Sequence, residues 1–416
     1  MNQSFDVAVI GPGAMGSATL YQLAKRGIRA VGIDRFAPPH AEGSTHGETR
    51  ITRRGIGEGE TYVPLAVRSH EIWRELEAET GESMLFEVGS IVVSEADDNV
   101  ERPGRTGFIR RSIAAAQRYD IPHEILSADE IRHRFPNLIP GDNEIGYYEP
   151  GGGYLMPERC VAANLTMARR HGATIRLGEV VNNIVPDGDG VVISIGGETI
   201  RAGQAVVTAG ARAGSLLGAP FDRLLKPTRQ VMHWFALAPD APQAWRNSPV
   251  YMWPHGEAED GFFYGFPSLD GVSMKTADEF YGAASDPNAI DRKVPLSDSH
   301  RMHAAHLAGR LVGVTNNPIK TATCIYTATP DSAFLIDRHP ASPAILVASP
   351  CSGHGFKHSA AIGESPAQWA GTAPRPSTSP PSASPGSETD KAPDRGIGSL
   401  AGRSRTAREA RSPAMV

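Results

Sequence analysis

The chain has 416 residues and a net charge of −5, enough length for two packed domains with a large core and no basic footprint for nucleic acid or a membrane surface. The first residues run straight into an apolar strand, with no basic leader, no cleavable apolar region and no run of about 18 apolar residues. Cys160, Cys324 and Cys351 are odd in number and widely spaced, and His233, His303 and His306 show no ligand spacing, so a cytoplasmic protein with reduced thiols and no metal is expected.

Residues 5–34 read as strand, tight turn, helix and strand. FDVAVI is the continuous apolar run of a buried parallel strand, and RAVGID is the second. Between them Leu20, Leu23 and Ala24 make an apolar helical stripe, Lys25 and Arg26 fill the last turn, and Gly27 stands where a left-handed cap belongs. The next helix spans about Tyr62 to Thr80, with Pro64 in its first turn. Ser127 and Glu130 form a capping box. Residues 172–210 read as a β-meander with a GDG hairpin, ending in a third buried strand, QAVVTAGA. Strand-like stretches dominate from about 226 to 330. After Glu364 the composition turns to Pro, Ser, Gly and Ala and then to a basic run. Such a segment cannot offset its ordering entropy, and disorder is expected there.

VAVIGPGAMGSA places Gly11, Gly13 and Gly16 between strand and helix. Gly11 allows the tight turn, Gly13 lets backbone approach a pyrophosphate, and Gly16 lets the helix pack on the strand. The helix N-terminus offers N–H groups to phosphate. Asp34 follows 23 residues after Gly11, where a carboxylate binds ribose hydroxyls. The fingerprint does not separate NAD from FAD. The third buried strand lies far from the first motif, and no regular βαβ units connect them, which leans towards FAD. Cys324, within ATCIYTATPD, is on local grounds a small packing residue.

Four stretches carry a resemblance: RFAPPHAEGSTHGETRITRRGIGEGETYVPL, GFPSLDGVSMK, ATCIYTATPDSAFLIDRHP and CSGHGFKHSAAIGE. Over about residues 5–364 the chain resembles the monomeric sarcosine oxidase and N-methyltryptophan oxidase family. The resemblance implies an α/β fold with a Rossmann-like FAD-binding domain of the glutathione-reductase type. A second, α+β substrate domain carries a mostly antiparallel sheet. The divided FAD-binding domain is expected over 1–85, 148–220 and 330–364, the substrate domain over 86–147 and 221–329, and a low-complexity tail over 365–416. The implied protein is a monomer that oxidises an N-methyl amino acid with dioxygen, giving the primary amino acid, formaldehyde and hydrogen peroxide.

The same resemblance implies roles for single residues. Cys324 falls on the cysteine that joins the flavin 8-methyl group through a thioether. Arg50 lies against the flavin ring, while Arg53 and Lys357 clamp the substrate carboxylate, a task that suits a guanidinium fork. Lys275 sits on the far face of the flavin and activates dioxygen, and Tyr264 and Tyr326 line the substrate pocket. His46 and Thr49 neighbour the flavin, and the Gly353–His354–Gly355 loop passes its pyrimidine end. Met15, Arg35, Ser44, Val180, Gly210 and Phe356 complete the cofactor contacts. Composition alone gives plainer readings: a solvated basic turn for the arginines, a surface strand end for Lys275 and core packing for the tyrosines.

The chain departs from the family pattern in places. Glu279 stands where a His is usual, Thr45 and Arg54 replace two further histidines, and Arg212 replaces a Trp. Glu279 and Arg54 put charge near the site, which favours a bulkier or differently charged substrate than sarcosine. The family's long C-terminal helix should begin near Phe356, but Pro366 comes early, as though a reading-frame change had replaced the native end. A dehydrogenase or primary-amine oxidase on the same fold, and an inactive protein, stay as alternatives.

Overall fold

The computed structural model describes residues 4–372 except 242, 280, 281 and 283. Strands β1 (Ser4–Ile10), β2 (Ala30–Asp34), β3 (Arg50–Thr52) and β4 (Leu85–Phe86) come first. Next are β5 (Ser90–Glu95), β6 (Glu124–Ser127), β7 (Glu144–Glu149) and β8 (Gly153–Leu155). A third group holds β9 (Thr174–Leu177), β10 (Val181–Asp187), β11 (Gly190–Ile195) and β12 (Glu198–Val207). The last strands are β13 (Lys226–Leu237), β14 (Val250–Pro254), β15 (Phe262–Gly265), β16 (Ser273–Asp278), β17 (Val314–Ala328), β18 (Leu335–His339) and β19 (Ser342–Ser349).

The apolar run of β1 sits between β2 and β12, parallel to both, with Ile10 level with Ile33 and Val207. β12 is long enough to serve two neighbours on its other edge, antiparallel β11 near its start and parallel β19 near its end. Both faces of this sheet are covered, as a parallel sheet requires. Val7 and Val9 pack with Leu20 and Leu23 of the helix Ala14–Lys25, while Ala8 and Ile10 pack with Val31 and Ile33 on the other side. The meander expected over 172–210 is only partly formed. β10, β11 and β12 are antiparallel neighbours, but β9 pairs in parallel with β2 at the opposite edge. The helix Pro157–Arg170 is the crossover that sets β9 there, and Gly178, at φ +74°, turns the chain away from it.

The second eight-stranded sheet runs β17-β13-β16-β15-β14-β5-β7-β6 and is antiparallel except where β14 meets β5. Its core is aromatic, with Phe235, Tyr251, Trp253 and Phe263 buried together. A small sheet, β3-β8-β4, carries Arg50 and sets it opposite Leu155. Residues 4–372 fall in one compact unit. The first large sheet takes its strands from residues 4–34, 174–207 and 335–349, and the second from residues 90–95, 124–149, 226–278 and 314–328. Among the described residues no helix is long and apolar enough to cross a membrane.

The chain end differs from the sequence expectation. Phe356–His358 form a 3-10 turn, the α-helix starts at Ser359, and it runs through Pro366 to Thr372. Proline removes one helical hydrogen bond, but Ala360, Ala361 and Ala367 are buried in the core shared with the helix Ala14–Lys25. A Cβ on Gly363 would overlap Ala18, so the two helices touch closely. Glu364 adds ion pairs to Arg68 at 3.0 Å and Arg26 at 3.6 Å. Residues 365–372 are therefore helical rather than disordered. The disorder and frame change read for 373–416 lie outside the described residues.

Candidate active site

The carboxyl ends of parallel strands are where open α/β sheets bind ligands. A cavity of about 430 Å³ opens there, lined by Gly11, Gly13, Met15, Asp34 and Arg35 from the first two strands and the intervening turn. The connection from β9 to β10 adds Val180, and Gly210 follows β12. Ser44, Arg50, Gly353, Gly355 and Phe356 close the far wall. The glycine turn has the form a dinucleotide needs. Gly11 has φ +85°, and a Cβ on it would come within 2.8 Å of Ala209 Cα. A Cβ on Gly16 would overlap the Gly11 carbonyl, so Gly16 packs helix on turn and does not line the cavity. Nothing lies within 4 Å of the Cβ position of Gly13, which leaves that side open at the helix N-terminus. The Asp34 carboxylate accepts from the Phe36 N–H at 2.8 Å, and burial pushes its pKa up.

A second cavity of about 60 Å³ shares Arg50, Tyr326, Gly353 and Phe356 with the first. Its apolar side is Ile51, Met252, Phe262 and Tyr264. The Tyr264 and Tyr326 hydroxyls lie 3.4 Å apart, and burial raises both pKa values, Tyr264 to about 12. The charged side is built around Glu58. Its carboxylate meets Arg53 at 2.6 Å, Arg105 at 3.0 Å and Lys357 at 3.1 Å, with Glu58 and Arg53 almost wholly buried. Burial alone would raise the Glu58 pKa, yet Arg53, Lys357 and Arg105 hold it well below the carboxylate range. Lys357 moves less favourably, down to about 8, because burial and the like charges of Arg53 and Arg105 outweigh one carboxylate. Arg105 also grips Glu279 with two bonds, at 2.8 and 3.2 Å. His354 is pushed down to about 3 by burial and is neutral.

Several residues expected at the site stand behind these linings. Arg53 lies on neither lining, because its fork is spent on Glu58, the Gly55 carbonyl and Met252 Sδ. Lys275 donates to the Gly47 carbonyl at 2.6 Å and to the Thr49 carbonyl and hydroxyl at 2.8 and 3.1 Å, so Thr49 faces Lys275. His46 is buried, its pKa is lowered to about 4 by burial and Arg50, and its Nε2 has no hydrogen-bond partner among the described residues. Cys324 is 2 % exposed and packs with Met232, Trp234, Ala277 and Tyr326. The thiol on the large cavity is Cys351, which also touches that cluster. Sequence reasoning assigned no role to Cys351, Glu58 or Arg105. Only Glu58 carried a local signal, as an acid five residues after Arg53. Among the described residues no group of three or more His, Cys, Asp or Glu side chains is placed to hold a metal ion.

The family model for FAD dependent oxidoreductases matches residues 6–369. The chain belongs to that family. The match ends five residues past Glu364, inside the segment of altered composition. A monomeric sarcosine oxidase of Streptomyces avermitilis is 39 % identical over 374 residues, covering 88 % of this chain and 93 % of that one. An N-methyl-L-tryptophan oxidase of Yersinia pestis is 33 % identical over 376 residues, covering 89 % and 96 %. Among solved structures, the open form of NikD, an unusual amino acid oxidase essential for nikkomycin biosynthesis, superposes with a TM-score of 0.75 at 26 % identity, covering 89 % and 94 %. Within this FAD dependent family, the large cavity fits the dinucleotide and the small one adjoins it.

Proposed function

We propose that the chain is an FAD-dependent oxidase of N-methyl amino acids. It converts R–NH–CH3, dioxygen and water to R–NH2, formaldehyde and hydrogen peroxide. The observation that carries this reading is the pair of cavities joined through Arg50, Tyr326, Gly353 and Phe356, the larger built on the glycine turn and Asp34 and the smaller half apolar and half charged. Bound FAD supplies the two-electron acceptor. The chain's own residues bind, orient and dry the substrate. Lys357, with Arg53 behind it, draws the α-carboxylate to one end, which leaves the N-methyl amine facing the shared wall of Arg50 and Tyr326. Met252, Phe262 and Tyr264 exclude water from the amine. Desolvation disfavours its charged form and frees the nitrogen lone pair. The test is stoichiometry: purified holoenzyme given sarcosine and N-methyl-L-tryptophan should release one formaldehyde per peroxide. Peroxide without formaldehyde would move the reaction to another class of amine.

The clamp predicts a pH dependence. With a pKa lowered to about 8, Lys357 is charged below that pH and neutral above it. Acetate stays ionised throughout, since a carboxyl group titrates near pH 4. Competitive inhibition by acetate should therefore weaken as pH rises through about 8, and a flat profile from pH 7 to 9 removes Lys357 from the clamp.

Cys324 is proposed as the covalent tether. It shares one face of β17 with Tyr326, which lines both cavities, and Arg50 counters the rise in its thiol pKa that burial causes. After acid precipitation the yellow colour should stay with the pellet in the wild type and in Cys351→Ser, and pass to the supernatant in Cys324→Ser. Release only in Cys351→Ser would assign the tether to the thiol that lines the cavity.

A further inference from the structure

Part of the connection between β16 and the helix Leu296–Met302 bridges the two large sheets. Arg229 of β13 donates to the Asp291 and Lys293 carbonyls at 2.7 and 2.9 Å, and Thr323 of β17 donates to the Arg292 carbonyl at 3.3 Å. Residues 291–293 are thereby tied to the second sheet. Just before them Asp286 folds a tight turn, accepting from the Asn288 N–H at its carboxylate and from the Ala289 N–H at its carbonyl. The tip of that turn meets the loops that follow β2 and β12. The Asn288 side-chain oxygen accepts from Arg35 and from Arg212, both at 3.0 Å, and the Pro287 carbonyl accepts from Arg212 at 2.7 Å. Arg292 makes a second crossing, to the Ala41 carbonyl at 2.8 Å and the Glu42 carboxylate at 2.9 Å.

Asn288, Arg35 and Arg212 line the large cavity together with Asp34. Arg35 and Asn288 are also exposed, whereas Ile10 and Ile33 of the same lining are buried. Residues that line a cavity and meet solvent stand at its mouth. The Arg35 and Arg212 guanidiniums lie 5.1 and 5.3 Å from the same Phe36 ring, and burial and the Arg35 charge lower the Arg212 pKa. The one amide oxygen shared by these like charges offsets their repulsion and fastens two loops at once.

We propose that residues 286–293 form a strap over the adenosine end of the large cavity, latched by Asn288, and that the dinucleotide enters and leaves when this latch opens. The inference rests on the family's FAD and not on the N-methyl amino acid reading. Asp34 marks the adenosine end, because an acidic residue at the end of the second strand takes the ribose hydroxyls. The latch joins protein to protein and needs no cofactor to form, so it is broken in passing either way. Its loss lowers the barrier to opening, and capture and release quicken together. A residue that served only to touch the cofactor would change release alone.

The test is stopped-flow capture and release of FAD, followed by flavin fluorescence. It uses the flavin-free full-length chain carrying Cys324→Ser and Cys351→Ser, in which neither thiol can hold the flavin. Adding Asn288→Ala removes the shared acceptor of Arg35 and Arg212. Both rate constants should rise about tenfold, a figure kept low because these bonds are partly exposed, and their ratio should stay within about threefold. Arg292 does not line the cavity, so Arg292→Ala should quicken both steps without removing any cofactor contact. Faster release with unchanged capture would make Asn288 an ordinary cofactor contact and overturn the latch, as would two unchanged rates. A second readout keeps all the thiols and the bound flavin. Trypsin cleaves after Lys293, and reaches that bond when the strap opens. Flavin-loaded Asn288→Ala should be cut there about tenfold faster than flavin-loaded wild type. Equal cleavage overturns the proposal, so a serine chain that fails to fold still leaves the latch decided.

Discussion

Glu58→Ala should unfold at a markedly lower temperature than the wild type, and acetate should restore much of the loss. Glu58 is the single carboxylate that three buried cations, Arg53, Arg105 and Lys357, all reach within 3.0 Å or slightly more. Removing one partner of a buried ion pair leaves an uncompensated charge and costs about 3–5 kcal/mol. Here the cost is not threefold, because Arg105 keeps Glu279 and Lys357 keeps the His354 carbonyl at 3.1 Å. The substitution deletes the equivalent of an acetate ion and leaves its volume. Added acetate should bind that space and raise the melting temperature with concentration, as any ligand of the native state does. Thermal scans from zero to high acetate, with chloride at matched ionic strength as control, measure it. Equal melting temperatures for wild type and Glu58→Ala would mean that the cluster contributes little, and rescue by chloride alone would reduce it to unspecific screening.

Lys275→Met should lower turnover with dioxygen by roughly a thousandfold, and turnover with an artificial electron acceptor far less. Two unit charges ~4 Å apart at an effective dielectric of about 20 interact by roughly 4 kcal/mol, which is about a thousandfold in rate. Dioxygen gains negative charge as it is reduced, whereas an artificial acceptor need not approach Lys275. The structure refines how the lysine would act. Burial, reinforced by Arg50, pushes its pKa well below the usual range. Its three acceptors, the Gly47 carbonyl and the Thr49 carbonyl and hydroxyl, match the three N–H groups of an ammonium. A neutral amine would turn its lone pair towards an oxygen. The Phe266 ring, 4.6 Å away, also favours the cation. Lys275 is thus a fixed charge held behind the cavity wall by the backbone beside Arg50. Parallel oxygen-electrode and dye-reduction assays decide the matter; an equal fall in both would make Lys275 a packing residue only.

The nucleotide half was legible wherever local geometry has one solution. Gly11 is glycine because the turn holds it at φ +85°, and Gly16 because a Cβ there would meet the Gly11 carbonyl of the same turn, and such local constraints leave a mark in sequence. The capping box at Ser127 and Glu130 forms for the same reason, with both bonds inside four residues. Partner choice over long distances was not legible. TIRL reads as a strand, but nothing in it shows that it pairs with β2 rather than with β10. The local rule that ends a helix at Pro366 lost to the packing of Ala360, Ala361 and Ala367. In the sequence Glu58 is one acid between two glycines. It becomes the hub of the charged wall only when the loop holding Arg105 and the turn holding Lys357 close on it from distant parts of the chain.

The large cavity is walled at once by Gly11, from the first strand and turn, and by Phe356, just before the helix Ser359–Thr372. During synthesis the N-terminal part emerges and folds first. β1 and β2 can pair early and β12 follows after three of the second sheet's eight strands, yet β19 completes the sheet only after all eight have left the ribosome. The helix that leans on Ala18 through Gly363 arrives later still. Cofactor capture therefore belongs late in biosynthesis, with the free N-terminal segment unable to enclose a dinucleotide until the turn at Phe356 shuts the cavity.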